Sequence, residues 1–285
     1  MKPILQLLLL ITLLNPAFGQ KHQDIPQTKI VEKFLEILPQ KMEELGLKDL
    51  RTSEDSLVIR IWQPHEVFTL NYSNPVSSNY KIYTTSSELV CSSFSVPDSV
   101  LLFLVNSLPV DSIMRLQNDE FRGVDGSYVF MEIVTEQHYK IVSYWSPNLT
   151  RSKDCKLVAH TIDMIDNAID SKYIKNTFLN DLPSGDYRWG MTNVRIDRFL
   201  GENIAKSDFY CVAESEIKKK LCITEETNHW EYPLILVNNS PVKLTDLNQY
   251  KKNDVARFEV YIPDDKLKAL YGTKSMNGVV VVETK

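Results

Sequence analysis

The sequence predicts an α+β fold: an N-terminal mixed helix and antiparallel-sheet domain followed by a small β-α-β module. Three observations predict it. Helix-spaced and strand-spaced apolar runs come in clusters rather than in strict alternation. Two long amphipathic stretches, near residues 30–45 and 153–179, bracket a set of alternating segments. A final stretch from His229 reads strand, short helix, strand on its own. Bulk composition agrees: 285 residues, 43% hydrophobic and 24% charged, with 9 glycines, describe a globular chain of one or two domains. A net charge of −5 excludes a nucleic-acid partner, whose phosphates call for a basic surface. A receptor-sized outer-membrane barrel, with about 22 strands, needs more chain than this.

Residues 1–19 read as an export signal. Met1-Lys2 carries the charge, Ile4–Leu14 is apolar apart from Gln6 and Thr12, Asn15-Pro16 breaks the helix, and Ala17-Phe18-Gly19 offers small residues for cleavage. An uncleaved anchor is the alternative, although the apolar core is short of the roughly 20 residues that span a bilayer. No cysteine follows to accept a lipid, and no later run of 18 apolar residues suggests a transmembrane span in the mature chain. The expected divisions are therefore 1–19, a domain over 20–227, and the module over 228–285.

The domain opens with a helix on Ile30, Val31, Phe34, Leu35, Leu38, Met42 and Leu45, which Pro39 should kink or divide and Gly46 should end. Strands are expected over Ser56–Trp62, Val67–Tyr72 and Tyr80–Thr84, and a shorter helix over Asp98–Leu108. Tyr128–Val134 and Tyr139–Trp145 read as paired strands sharing a long connection through Glu136-Gln137. One long helix is expected over Lys153–Leu179, then a turn at Leu182–Gly185 and a strand over Tyr187–Ile196.

In the module, Pro233 leads into Leu234–Val237, and Asn238-Asn239, tolerant of positive φ, turns the chain into Pro241-Val242. Ala256–Ile262 alternates as a half-buried strand. Pro263-Asp264-Asp265 stops it and caps a helix over Lys266–Tyr271, which Gly272 ends. After Met276-Asn277-Gly278, the β-branched run Val279–Val282 asks for burial on both faces. Two strands joined through a helix imply a right-handed crossover and parallel pairing.

Pro233–Asn239, Ala269-Leu270-Tyr271-Gly272, Asn277-Gly278-Val279-Val280 and Thr284-Lys285 together resemble the plug domain of TonB-dependent outer-membrane receptors of the SusC/RagA-like branch. The resemblance covers about the last 53 residues, and the preceding domain has no named counterpart. It implies the plug fold and residence in a Gram-negative cell envelope, in the periplasm or on the outer membrane, with an extracellular position open. In that family the plug sits inside a barrel and gates nutrient uptake. Here no barrel follows Lys285, and Asn238-Asn239 stands where the family has an Asp-Gly-type turn. The motif residues Pro233, Asn238, Asn239, Tyr271, Gly272, Asn277 and Gly278 are thus expected to be structural.

In an oxidising compartment Cys91, Cys155, Cys211 and Cys222 allow three pairings. Closure of Cys211–Cys222 around a polar run stands against four buried thiols. His22, His65, His138, His160 and His229 are scattered, and His65-Glu66 lacks the second histidine of a zinc-protease motif. Asp163, Asp166 and Asp170 share a helix face, either for cations or simply for solvent. Asp125-Gly126 reads as a turn or a binding loop. Trp62, Tyr144, Trp145, Tyr187 and Trp189 fit strand cores or a sugar platform. No phosphate loop or nucleophile elbow occurs, so no catalytic residue, metal or cofactor is expected. Three functions stay open: a non-catalytic envelope protein whose module docks on a protein partner, a secreted hydrolase using Asp125 or Asp163, and a glycan or small-ligand binder.

Overall fold

The computed structural model describes residues 21–84, 89–148, 151–190 and 192–285; the export signal expected over residues 1–19 lies outside them. The fold is α+β, and the chain forms two compact units, one ending at Ser171 and one built on Lys172–Lys285.

The first unit contains β1 (His22–Asp24), α1 (Lys29–Glu44), β2 (Leu57–Gln63), β3 (Glu66–Asn71), β4 (Ser77–Tyr83) and β5 (Cys91–Phe94). It continues through α2 (Asp98–Ser107), α3 (Val110–Met114), β6 (Tyr128–Thr135), β7 (His138–Trp145) and α4 (Lys153–Ile169). Its seven strands run in the order β1-β7-β6-β2-β3-β4-β5, antiparallel throughout except for β1 against β7.

The alternation of β2 and β6 sends apolar side chains to both sheet faces. On one face, Val58, Trp62, Phe130, Val134, Tyr139 and Ile141 meet the α1 stripe of Val31, Phe34, Leu38 and Met42. Phe34 stacks on Phe130 with ring centres 3.9 Å apart. On the other face Ile59, Ile61, Phe68, Leu70, Tyr80 and Met131 are buried. There α4 turns Asp166 towards Tyr80, and α2 packs on α4.

Three expectations change here. α1 runs through Pro39 without a break, because Pro39 lies on the solvent side, where water can take the carbonyl it leaves unpaired. The β6–β7 connection is only Glu136-Gln137, since the strands pair up to the turn and the Thr135 hydroxyl accepts from His138 N at 3.1 Å. The long helix is two helices, because Asp170 turns left-handed at φ 52° and ends α4.

The second unit holds α5 (Ser171–Asp181), β8 (Gly185–Trp189), β9 (Thr192–Ile196), α6 (Asp208–Leu221), β10 (Leu234–Val237), β11 (Ser240–Val242), β12 (Val255–Tyr261), α7 (Asp265–Tyr271) and β13 (Val279–Thr284). The single strand expected over Tyr187–Ile196 is the β8–β9 hairpin. Four strands order as β11-β10-β13-β12.

The crossover expectation is corrected by the pairing. β12 and β13 are antiparallel, and the parallel partner of β13 is β10. The seven residues of α7 rise about 10 Å, less than half of the roughly 23 Å of β12. The chain therefore reverses at one end of the sheet instead of returning to the other.

One face of this sheet, with Ile235, Val237, Val260, Val280 and Val282, packs on Phe209, Tyr210, Ala213 and Ile217 of α6. The other face, Leu234, Leu236 and Val279, meets Leu267 and Tyr271 of α7. Residue 228 thus falls inside this unit, because α6 covers one face of the module's sheet.

Candidate functional site

Tight turns hold the strands of the C-terminal module together. Asn238 and Asn239 both take positive φ, 49° and 64°, the geometry of a type I′ hairpin. Asn238 also donates through Nδ2 to Thr284 Oγ1 at 2.8 Å and accepts from Thr284 N at 3.0 Å, pinning the turn to the end of β13. Gly278 has φ 99°, and a Cβ there would lie 2.8 Å from Leu221 Cδ2 and 2.9 Å from the Tyr261 carbonyl. Its carbonyl accepts from Leu234 N. Gly272 sits at φ 66° after α7, and Asn277 donates to the Trp230 carbonyl at 3.3 Å. Tyr271 packs on the inner cluster, and Pro233 stands immediately ahead of β10. Each motif residue therefore shapes backbone or core.

Function has to be sought in what these residues display. α7 buries little of itself: only Leu267 and Tyr271 reach inward. Around it Leu270 is 74% exposed, Ile262 65% and Met276 56%. Lys266, Lys268 and Lys274 are exposed among them. Three large apolar side chains are thus open to water within fifteen residues. Beside them, on β12, Arg257 bridges Glu259 at 2.9 Å and Glu283 at 3.1 Å, and Tyr261 donates to Glu259. The hydrogen bonds from Arg257 and Tyr261 hold the Glu259 carboxyl below its ordinary range. This charged ladder and the register shift between Val255 and Arg257 blunt the outer strand against pairing with another edge.

The module is locked to preceding sequence through Asp197. This carboxylate, 1% exposed, accepts from Leu244 N at 2.8 Å and Arg198 N at 2.9 Å, with Arg195 Nε 3.8 Å away. Burial raises its pKa despite those donors. Arg198 reaches the carbonyls of Asn180 and Leu182, and Arg195 that of Val242.

The remaining candidates scatter. Cys211 lies in α6 and Cys222 is its left-handed C-cap, so about 16 Å of helix separates them. A disulfide closes only roughly 4.4–6.8 Å between Cα atoms, so the expected Cys211–Cys222 bridge is corrected to two free, exposed thiols. Cys91 and Cys155 are free as well. Asp163 is exposed in a groove of about 410 Å³ with Phe103 and His160, Asp166 is half-buried towards Tyr80, and Asp170 ends α4. The three acids do not share a solvent face. Asp125 lies in the exposed loop before β6. Trp62, Tyr144 and Tyr187 are core side chains, Trp145 packs edge-on to Tyr128, and Trp189 packs on Phe178. Among the described residues, no three or more His, Cys, Asp or Glu side chains converge as metal ligands.

One cluster escaped the sequence reading. Arg60 and Glu132, cross-strand partners on β2 and β6, are both buried and approach to 3.4 Å. Trp62 Nε1 donates to the same carboxylate at 2.6 Å, the Tyr139 hydroxyl donates to it at 3.0 Å, and Arg60 Nε donates to Thr69. Burial and the Glu132 charge push the Tyr139 phenol far up. In sequence Arg60 falls between Ile59 and Ile61 like an outward polar position, and only its pairing with Glu132 brings the two charges together. The network is sealed beneath α1 and offers no opening to a substrate.

No protein-family model and no curated protein matches this chain. Among the described residues no helix is long and apolar enough to cross a membrane.

Proposed function

We propose that this chain is an exported, non-catalytic cell-envelope protein whose plug-like C-terminal module docks on a protein partner of the envelope. The observation that carries this reading is the trio Ile262, Leu270 and Met276, exposed around a helix that covers its sheet only thinly. Apolar anchors within a rim of lysines suit the core-and-rim pattern of protein interfaces. The adjoining β12 edge is charged and bulged, so side chains on α7 rather than strand addition should carry the contact. The plug resemblance and the expected export signal lean the same way, and the acids considered for hydrolysis stand on different elements, Asp125 in the loop before β6 and Asp163 on α4.

The test is crosslinking through Lys266, Lys268 and Lys274 in intact cells, followed by mass spectrometry. One dominant envelope partner is expected, lost in the double variant Ile262→Asp, Leu270→Asp while its thermal unfolding stays that of the parent. Unchanged crosslinks in that variant would remove the proposed surface. Deleting 229–285 is a poor substitute, since it strips α6 of its core.

A further inference from the structure

We propose that the processed amino terminus is a square-planar site for divalent copper or nickel. Its donors are the α-amine of Gln20, which precedes the described residues, the backbone nitrogens of Lys21 and His22, and the His22 imidazole. The inference rests on the export reading, because only cleavage after Gly19 makes Gln20 a free amine two residues ahead of a histidine. The spacing then dictates the chemistry. An amine, two successive peptide nitrogens and an imidazole on the third residue close three fused chelate rings around one metal. They present four nitrogens in a plane, the geometry that copper(II) and nickel(II) favour over zinc. On binding, the α-ammonium and both peptide N–H groups each release a proton, and the imidazole enters neutral.

The structure adds where this site stands and what it must disturb. His22 opens β1, the three-residue strand at the edge of the first sheet, and all three residues are exposed. The His138 ring, on the adjoining strand, has its centre 5.4 Å from that of His22. The His22 N–H that the metal has to displace donates to the Gln137 carbonyl at 2.8 Å. Metal and sheet therefore compete for one nitrogen. Capture of the metal frees the Gln137 carbonyl and peels the first residue of β1 from β7. Gln23 and Asp24 keep their register with Tyr139 and Lys140. Lys21 need not let go of the Thr135 carbonyl, because that bond uses Nζ rather than the peptide nitrogen.

The experiment takes the full mature chain beginning at Gln20, its mass verified, and titrates it with copper(II) against glycine as competing chelator. Expected are one copper per chain, the visible absorption of a planar four-nitrogen centre, release of protons, and faster amide exchange at the start of β1. His22→Gln, and separately one alanine inserted ahead of Gln20, should each weaken binding by more than the roughly 10–100-fold that loss of an outer-shell partner costs. Both leave the fold intact by circular dichroism. His138→Gln should leave binding in place. Planar binding that survives either of the first two variants, or that disappears in His138→Gln, would overturn the chelate; so would no binding to the parent. The export reading is tested separately by the intact mass of the chain recovered from cells. Retention of residues 1–19 sinks that reading and leaves the titration result standing. A chain starting at Gln20 but lighter by one ammonia has a cyclised terminus, which removes the amine and overturns the site.

Discussion

Glu132 accepts from Trp62, Tyr139 and Arg60 in a region closed to water. Replacing it with alanine strands the Arg60 charge, and removing one partner of a buried pair typically costs about 3–5 kcal/mol. Glu132→Ala is therefore expected to shift the urea midpoint strongly downward, and Glu132→Gln, which retains an acceptor, to shift it less. Asp197 makes a prediction of opposite character. Its folded pKa is raised, so the folded state binds a proton more readily than the unfolded chain does. The stability it contributes should grow as pH falls through that raised value towards the ordinary carboxylate range, then level off. Comparing the unfolding free energy of the parent and Asp197→Asn between neutral and mildly acid pH checks this: the parent's gain on acidification should shrink in the variant. Such residues are only half legible in a sequence. Arg60 and Glu132 each look like an outward polar position of an alternating strand, and only the β2–β6 register shows that they face each other.

At the scale of elements, period-two strands and the Asn-Asn turn were readable because their causes are local. Pleat alternation and positive φ belong to a few consecutive residues. The α7 stop signals were readable for the same reason, with Asp264 Oδ1 accepting from Leu267 N at 2.7 Å. What escaped was non-local. α6 hides its narrow stripe of Phe209, Tyr210, Ala213 and Ile217 among Glu214, Glu216 and three consecutive lysines, which made it read as a polar loop. Strand direction escaped too, since nothing in Ala256–Val282 alone says that β10 takes the parallel place beside β13. Gly278 is where these elements crowd together. Gly278→Ala must hold φ 99° and press its methyl on Leu221 and the Tyr261 carbonyl. Overpacking of that kind typically costs about 1–3 kcal/mol, and the positive φ adds to it. Thermal unfolding of this variant should come well below the parent's, whereas Gly201→Ala, whose Cβ meets nothing within 4 Å, should leave it nearly unchanged.

For the molecule as a whole, the stretch from residue 228 is a part of a larger folding body. The sheet face of Ile235, Val237, Val260, Val280 and Val282 is covered by α6, and Asp197 and Arg195 tie Leu244 and Val242 to the end of β9. A fragment of residues 228–285 is accordingly expected to be largely unfolded by amide exchange, and residues 172–285 to show the protection pattern of the full chain in that region. The division was hard to see in sequence because a resemblance follows the residues that carry a motif, while a folding body follows buried area. The two thiols on α6 belong to that body and carry a consequence of their own. Held apart by three turns of rigid helix, they cannot satisfy one another, and both face outward. A molecule with two such reactive points is bifunctional, like a monomer in condensation polymerisation. Under oxidation it should link into chains of rising length, visible as a ladder rather than a single dimer band on a gel run without reductant.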